Sequence, residues 1–299
     1  MIDEKLLKTV ADGVAQGEYS LLLGAGASLG AVGGNGQLLP SGSGLRDALV
    51  STFDLDTGGE SISLARAYEH ARRRDRPLLR STLHEWFTGC KPTWQGLLGE
   101  FTWHRIWSLN IDDVLEQAFE RQGRPFRAFG WRERFMDRGH AHLEQIVHLH
   151  GIAGRMGEAD LDDDTLVFSL TEYARTVANP ESWHRVFFDE FAERPFVVLG
   201  AKLTEEFDLV EALSLGTAAE VQTGYPSVVV LPSTTSLQRE ELEAAGVHVV
   251  ESEGERFIRA LVEPPNAPIS ERCHRFPRWR AQIVCWRDQR DSVSPKSAP

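Results

Sequence analysis

Six short apolar runs constrain what this chain can fold into: Tyr19–Leu23, Arg105–Leu109, Gln145–Leu149, Phe196–Leu199, Ser227–Leu231 and His248–Val250. They have the length of strands, are rich in Val, Ile and Leu, and mostly lack the apolar–polar alternation of a strand with one wet face. Such runs with helical patterns between them are the rhythm of an α/β domain, a parallel sheet with crossover helices on both faces. Leu166–Ser169 is a further candidate strand. At 299 residues the chain is long enough to bury a sizeable core in one large domain or two small ones.

The spacing of the runs is uneven. About eighty residues separate the first from the second, whereas a crossover helix with its loops needs only about a dozen. From Ser61-Ile62-Ser63-Leu64 through Leu78, Leu79, Leu83 and Trp86-Phe87 the pattern is apolar at helical spacing. This predicts a helical insertion module over about residues 45–100. A shorter excursion runs from Arg121 to Leu143.

Glu263-Pro264-Pro265-Asn266-Ala267-Pro268 breaks any preceding helix, so the main domain is expected over 1–263 and an extension over 264–299. The extension sets Arg272, Arg275, Arg278, Arg280, Arg287 and Arg290 beside Trp279 and Trp286. It reads either as a docking arm for a partner or nucleic acid, or as an amphipathic helix packed on the main domain.

With 32 basic against 44 acidic side chains the net charge is −12, which disfavours wrapping of nucleic acid by the main domain. Cys90, Cys273 and Cys285 form no C-x-x-C pair, so neither a disulfide framework nor a structural zinc site is expected. The uncharged stretch Tyr19–Leu45 contains eight glycines and is unsuited to a membrane helix. The acidic start Met1-Ile2-Asp3-Glu4 is wrong for a secretory signal, and the expected location is cytoplasmic.

Chemistry-bearing residues gather at the ends of the runs. The first leads into Gly24-Ala25-Gly26-Ala27-Ser28, where glycine permits a tight turn and backbone amides can approach a pyrophosphate at a helix N-terminus. Because Leu29 breaks the G-x-G-x-x-G spacing, the turn is also compatible with a plain strand-to-helix connection. The second run ends at Asn110-Ile111-Asp112-Asp113, polar residues where open α/β sheets bind ligands, although one of the two aspartates is expected to cap the next helix.

The third run ends at His148-Leu149-His150-Gly151. Strand alternation predicts both histidines on one face, with His150 nearer a site and His148 in the core or behind it. A metal site built with His140 and His142 finds no supporting carboxylate or thiolate spacing. Asp160–Asp164 lacks the glycine and glutamate of a calcium loop.

In this order Gly24-Ala25-Gly26-Ala27-Ser28, Leu109-Asn110-Ile111-Asp112 and His150-Gly151 resemble the signatures of the sirtuin-like NAD-binding superfamily. Val198-Leu199-Gly200-Ala201-Lys202-Leu203-Thr204-Glu205 with Asp208 looks like a fourth element near the nucleotide. The chain is similar in particular to bacterial sirtuin-like domains that act as NAD hydrolases in antiphage defence. The resemblance implies a Rossmann-like sheet with NAD, as substrate, across the carboxyl ends of the strands, and no metal. Gly24, Ala25, Gly26 and Ser28 would cradle its phosphates, with Gly200 and Lys202 beside them; Asn110 and Asp112 would hold the nicotinamide ribose and ring, and His150 the ribose hydroxyls.

It also implies self-assembly into a homo-oligomer and a neighbour such as a HerA-type ATPase or a short Argonaute-like protein. Sirtuin deacylases carry a zinc module with paired cysteines; this chain has none, which disfavours deacylation.

The chemistry itself favours hydrolysis. Nicotinamide leaves NAD as a neutral molecule and needs no acid, so an amide, a carboxylate and an imidazole suffice to stabilise a ribosyl cation and present water. Asn110, Asp112 and His150 supply that set. The alternatives are a module that binds NAD or ADP-ribose without turnover, and a dehydrogenase, for which no substrate domain is apparent.

Overall fold

The strands β1 (Ser20–Leu23), β2 (Ile106–Ser108), β3 (Phe126–Gly130), β4 (Glu144–His148), β5 (Phe196–Leu199), β6 (Ser227–Leu231) and β7 (Val247–Glu251) form one sheet. Its order is β3-β4-β2-β1-β5-β6-β7, and every pairing is parallel. The structure, a computed structural model, describes residues 3–133, 143–156, 166–179, 182–201 and 207–262. Lys202, His140, His142, Asp160–Asp164 and the extension 264–299 lie outside these residues.

All six expected strands are present. β3 is an addition, inside the excursion that the sequence left unassigned. It is an edge strand paired only with β4, and of its residues only Phe129 is buried, so it lacks the apolar run of a covered strand. Leu166–Ser169, by contrast, is not a strand. Leu166 and Val167 are buried, but Ser169 accepts the Glu172 N–H in a capping box that starts a helix.

The helices are α1 (Glu4–Ala15), α2 (Gly42–Thr52), α3 (Leu64–Arg74), α4 (Arg76–Phe87), α5 (Val114–Arg121), α6 (Leu170–Val177), α7 (Trp183–Glu193), α8 (Phe207–Leu215), α9 (Ala219–Thr223), α10 (Ser236–Ala244) and α11 (Gly254–Val262). Strand alternation sorts the core into two layers. Leu21, Leu23, Ile106 and Val228 face α1, α5 and α11, while Leu22, Trp107, Val147 and Val229 face α7, α8 and α10. With both faces covered, this is a doubly wound Rossmann-like α/β fold.

Between β1 and β2 run α2, α3 and α4, whose Leu49, Tyr68, Leu83 and Phe87 build a core of their own. It joins the main domain through Ile111 and Val114 and through Asp113, whose carboxylate accepts the N–H groups of Gly89 (2.7 Å) and Cys90 (2.9 Å).

At the amino ends of the strands, Glu190 of α7 is buried against the sheet. Its carboxylate accepts from Ser20, Arg105 and the indole N–H of Trp107. Removing Glu190 takes the carboxylate away from the buried Arg105 guanidinium. Glu190→Ala is therefore expected to lower unfolding free energy by about 3–5 kcal/mol, read from urea denaturation at neutral pH. A loss below 1 kcal/mol would show that Arg105 finds water instead.

Candidate functional site

Chain order reverses between β1 and β5: from β1 the sheet grows through β2, β4 and β3 on one side and through β5, β6 and β7 on the other. In open α/β sheets a crevice forms at such a switch point, outside the carboxyl ends of the strands. A cavity of about 790 Å³ lies there, lined by Gly26, Gly200, Trp94, Leu213, Glu241 and Glu253 among others. That is within the range of small-molecule sites.

One wall is made of two turns pressed together. The Gly24 N–H donates to the Leu199 carbonyl (2.9 Å) and the Gly26 N–H to the Gly200 carbonyl (2.8 Å). A Cβ on Gly24 would lie 2.5 Å from Ala201 Cα, and one on Gly26 would lie 2.8 Å from Gly200 Cα. Gly200 itself has φ +68°, and a Cβ there would strike the Ala27 nitrogen. The glycines at 24 and 26 thus serve close approach. Their amides already have partners, whereas the sequence assigned them to a phosphate.

Beneath the first turn is a buried polar cluster. Asn110 Nδ2 donates to the Gly24 carbonyl (3.0 Å) and to Ser28 Oγ (2.9 Å), so the amide pins both ends of the turn. Gln95, from the segment that follows α4, reaches the Ala27 carbonyl from the other side (3.0 Å). Asp113 holds the N-cap position of α5 but sends its carboxylate across to the insertion, and it is Asp112, one residue earlier, that accepts the first helical N–H, that of Val114 (3.1 Å). Burial pushes the Asp112 carboxyl up to about 6 against the hydrogen bonds from Ser28 and Val114, with Glu116 adding repulsion.

His148 lies in the same cluster. Its Nδ1 is 2.7 Å from the Asn110 carbonyl, which can only accept, so Nδ1 carries a proton. Its Nε2 is 2.7 Å from Glu116 Oε1. Burial opposes protonation of this ring, but the Glu116 carboxylate and the Asn110 carbonyl outweigh it and hold the imidazole above its ordinary value. These side chains enclose a space of about 10 Å³, the size of one water.

His150 does not share that face. The strand ends at His148, the chain turns through Leu149 and His150 into Gly151 at φ +89°, and the His150 ring meets α8. Its Nε2 is 2.7 Å from Asp208 Oδ2. The two-residue rule failed here because it holds only while the strand continues. Asn110, Asp112 and Ser28 are therefore brought together, and His150 is paired elsewhere. Neither the cavity nor the buried cluster has His150 in its lining.

Three further buried polar residues went unforeseen. Gln95 and His184 gave no local signal, whereas Glu116, an acid between Leu115 and Ala118 on the buried face of α5, could have been found as a charge on an apolar stripe.

Residues 104–250 match the family described as "SIR2-like domain". No curated protein matches the chain. Among solved structures, it is similar to a Sir2 homolog in complex with NAD, at 14% identity and TM-score 0.45 over 88% of this chain and 95% of that one. A mutant Sir2 homologue complexed with 2′-O-acetyl ADP ribose gives 12% identity and TM-score 0.44 over 90% and 100%. No helix of the described residues is long and apolar enough to cross a membrane.

The raised Asp112 carboxyl has a measurable sign. The folded chain binds this proton more tightly than the unfolded one, so the associated stability is full below about pH 4 and lost as pH rises through 6. Asp112→Asn cannot titrate. Its stability relative to the native sequence should improve steadily from pH 4 to pH 7 in urea melts, and parallel curves would rule the shift out.

Proposed function

We propose that the chain binds NAD in the cavity at the β1–β5 switch point and hydrolyses its nicotinamide–ribose bond. The observation that carries this reading is the cavity wall itself: two interlocked glycine turns at the carboxyl ends of β1 and β5, with Asn110, Asp112 and Ser28 packed behind one of them. The match of residues 104–250 to the SIR2-like domain supports the same ligand class.

In this reading the turns Gly24–Ser28 and Gly200–Ala201, with Lys202, border the pyrophosphate, while the Gly24 and Gly26 amides stay committed to the contact between the turns. Asn110 fixes the shape of the first turn, and Asp112 supplies negative charge toward the developing ribosyl cation. His150 accepts the proton of the attacking water. As the C1′–N bond breaks, its electron pair passes to the nicotinamide ring, the water oxygen bonds to C1′, and the products are nicotinamide, ADP-ribose and a proton. Such an activity needs restraint in a cell that depends on NAD. A regulated role in antiphage defence, as a homo-oligomer or with a HerA-type ATPase or short Argonaute-like neighbour, is the setting that the motifs suggest.

A second reading, binding of NAD or ADP-ribose without turnover, is favoured by one observation. His150 hydrogen-bonds Asp208 of α8, whereas Asn110 and Asp112 are engaged in the cluster beneath the first glycine turn and at the start of α5. Chromatography of NAD after incubation with the pure chain, alongside calorimetric titration, separates the two. Hydrolysis predicts nicotinamide release that falls by roughly 10²–10⁴-fold in His150→Ala while NAD still binds. Asn110→Ala should lose both turnover and thermal stability, because its amide pins the turn. Binding with no nicotinamide under any activating condition assigns the chain to the non-catalytic class.

A further inference from the structure

The cavity at the switch point has two unlike ends. At one, the glycine turns close off the carboxyl ends of β1 and β5. At the other, beyond β6, it is walled by the Trp94 indole and bordered by Glu241 of α10 and by Glu253, which precedes α11. Neighbouring strands lie about 4.8 Å apart, so β7 stands roughly 10 Å from β5. Trp94 and the start of α11 are neighbours: a Cβ on Gly254 would lie 3.6 Å from the Trp94 ring. Leu213, Val230 and Leu242 supply apolar wall.

The charge at this end has one sign. Among the described residues that line the cavity there is no Lys, Arg or His, and both glutamates are exposed at its border. Their neighbours Glu251 and Glu255 are ion-paired, with Arg239 (2.9 Å) and Arg259 (2.8 Å), whereas neither Glu241 nor Glu253 forms an ion pair among the described residues. A bare helix N-terminus attracts anions, but α11 has Glu253 immediately before it and Glu255 in its first turn, which offset its positive end. A phosphate here would meet two carboxylates and no counter-charge. An aromatic base and an uncharged sugar would meet an indole, aliphatic side chains and oxygens that accept from hydroxyls.

From this arrangement we infer that Glu241 and Glu253 set which dinucleotide the cavity takes: they admit the adenosine end of NAD, with its free ribose hydroxyls, and exclude the same dinucleotide bearing a 2′-phosphate, NADP. The inference rests on the NAD-binding reading, whether or not hydrolysis follows. With the pyrophosphate bordering the turns at β1 and β5, the adjoining sugar and base extend over β6 toward α10 and α11. A ribose hydroxyl donates to a carboxylate oxygen, so either glutamate can accept from it. A 2′-phosphate brings close to two negative charges at neutral pH. Its repulsion by two carboxylates at the border of a protein cavity amounts to roughly 10–100-fold in affinity.

Calorimetric titration of the full chain with NAD, NADP, ADP-ribose and 2′-phospho-ADP-ribose tests it. Each 2′-phosphorylated ligand should bind roughly 10–100-fold more weakly than its partner at low salt, and the gap should narrow as ionic strength rises. In the double variant Glu241→Gln/Glu253→Gln, whose altered side chains are exposed, the ratio of the two Kd values should fall about tenfold or more. An unchanged ratio there overturns the inference. Glu255→Gln removes the same charge from a residue outside the cavity lining and should move the ratio far less than Glu253→Gln does. Equal shifts would trace the discrimination to the net charge of −12 and overturn the assignment to these two residues. Native affinity for NADP equal to or above that for NAD also overturns it, and leaves NAD binding standing. Binding of none of the four ligands overturns the NAD reading and this inference together. A preference for NAD without nicotinamide release supports the inference and refutes hydrolysis.

Discussion

Contact between two backbone turns, Gly24–Ser28 after β1 and Gly200–Ala201 after β5, organises this molecule. The central strands diverge in chain order there, and only residues without Cβ atoms let the two turns exchange the Gly24–Leu199 and Gly26–Gly200 hydrogen bonds. The cavity follows from that contact. The chain leaving β1 runs on into the insertion, and the cavity lies over the carboxyl ends of β5 and β6. Asn110 and Gln95 hold the first turn in place from two separate segments, so its conformation does not depend on the glycine backbone alone.

Polar groups at the site lie on two sides of the sheet. On the α5 side, Ser28, Asn110, Asp112, Glu116 and His148 form a closed network around a space of about 10 Å³. On the α7–α8 side, His150, His184 and Asp208 form another. In a low-dielectric interior each network is costly unless its donors and acceptors match, and the mismatches that persist are informative. Asp208 Oδ1 and His184 Nε2 are such atoms, 3.0 Å apart as an ion pair but without hydrogen-bond geometry.

Much of the fold was legible because strands covered on both faces advertise themselves as apolar runs, and β1, β5 and β6 are buried along nearly their whole length. β3 was not, because an edge strand such as Phe126–Gly130 keeps half of its surface wet. The glycine turns and Asn110 were legible through residue type, since little else tolerates those positions. The aim of His150 was not. It depends on where β4 stops pairing and on the left-handed Gly151 that follows, which are properties of the backbone path. His184 and Glu116 owe their importance to partners more than twenty residues away, Asp208 and His148, and no local pattern encodes that pairing.

The placement of His150 also bears on how the two sides of the sheet communicate. β4 connects them directly: His148 ends the strand in one network and His150 begins the turn into the other, with one buried leucine between. His148 is fastened at both nitrogens, to Asn110 and to Glu116, and so fixes the end of β4 against the β2 turn. The Gly151 N–H in turn donates to the His148 carbonyl (3.2 Å), and the Val167 N–H to the His150 carbonyl (3.0 Å). Asn110 and His150 are thus tied to the same short segment, one through the His148 ring at the end of β4 and the other through its own place in the turn that follows.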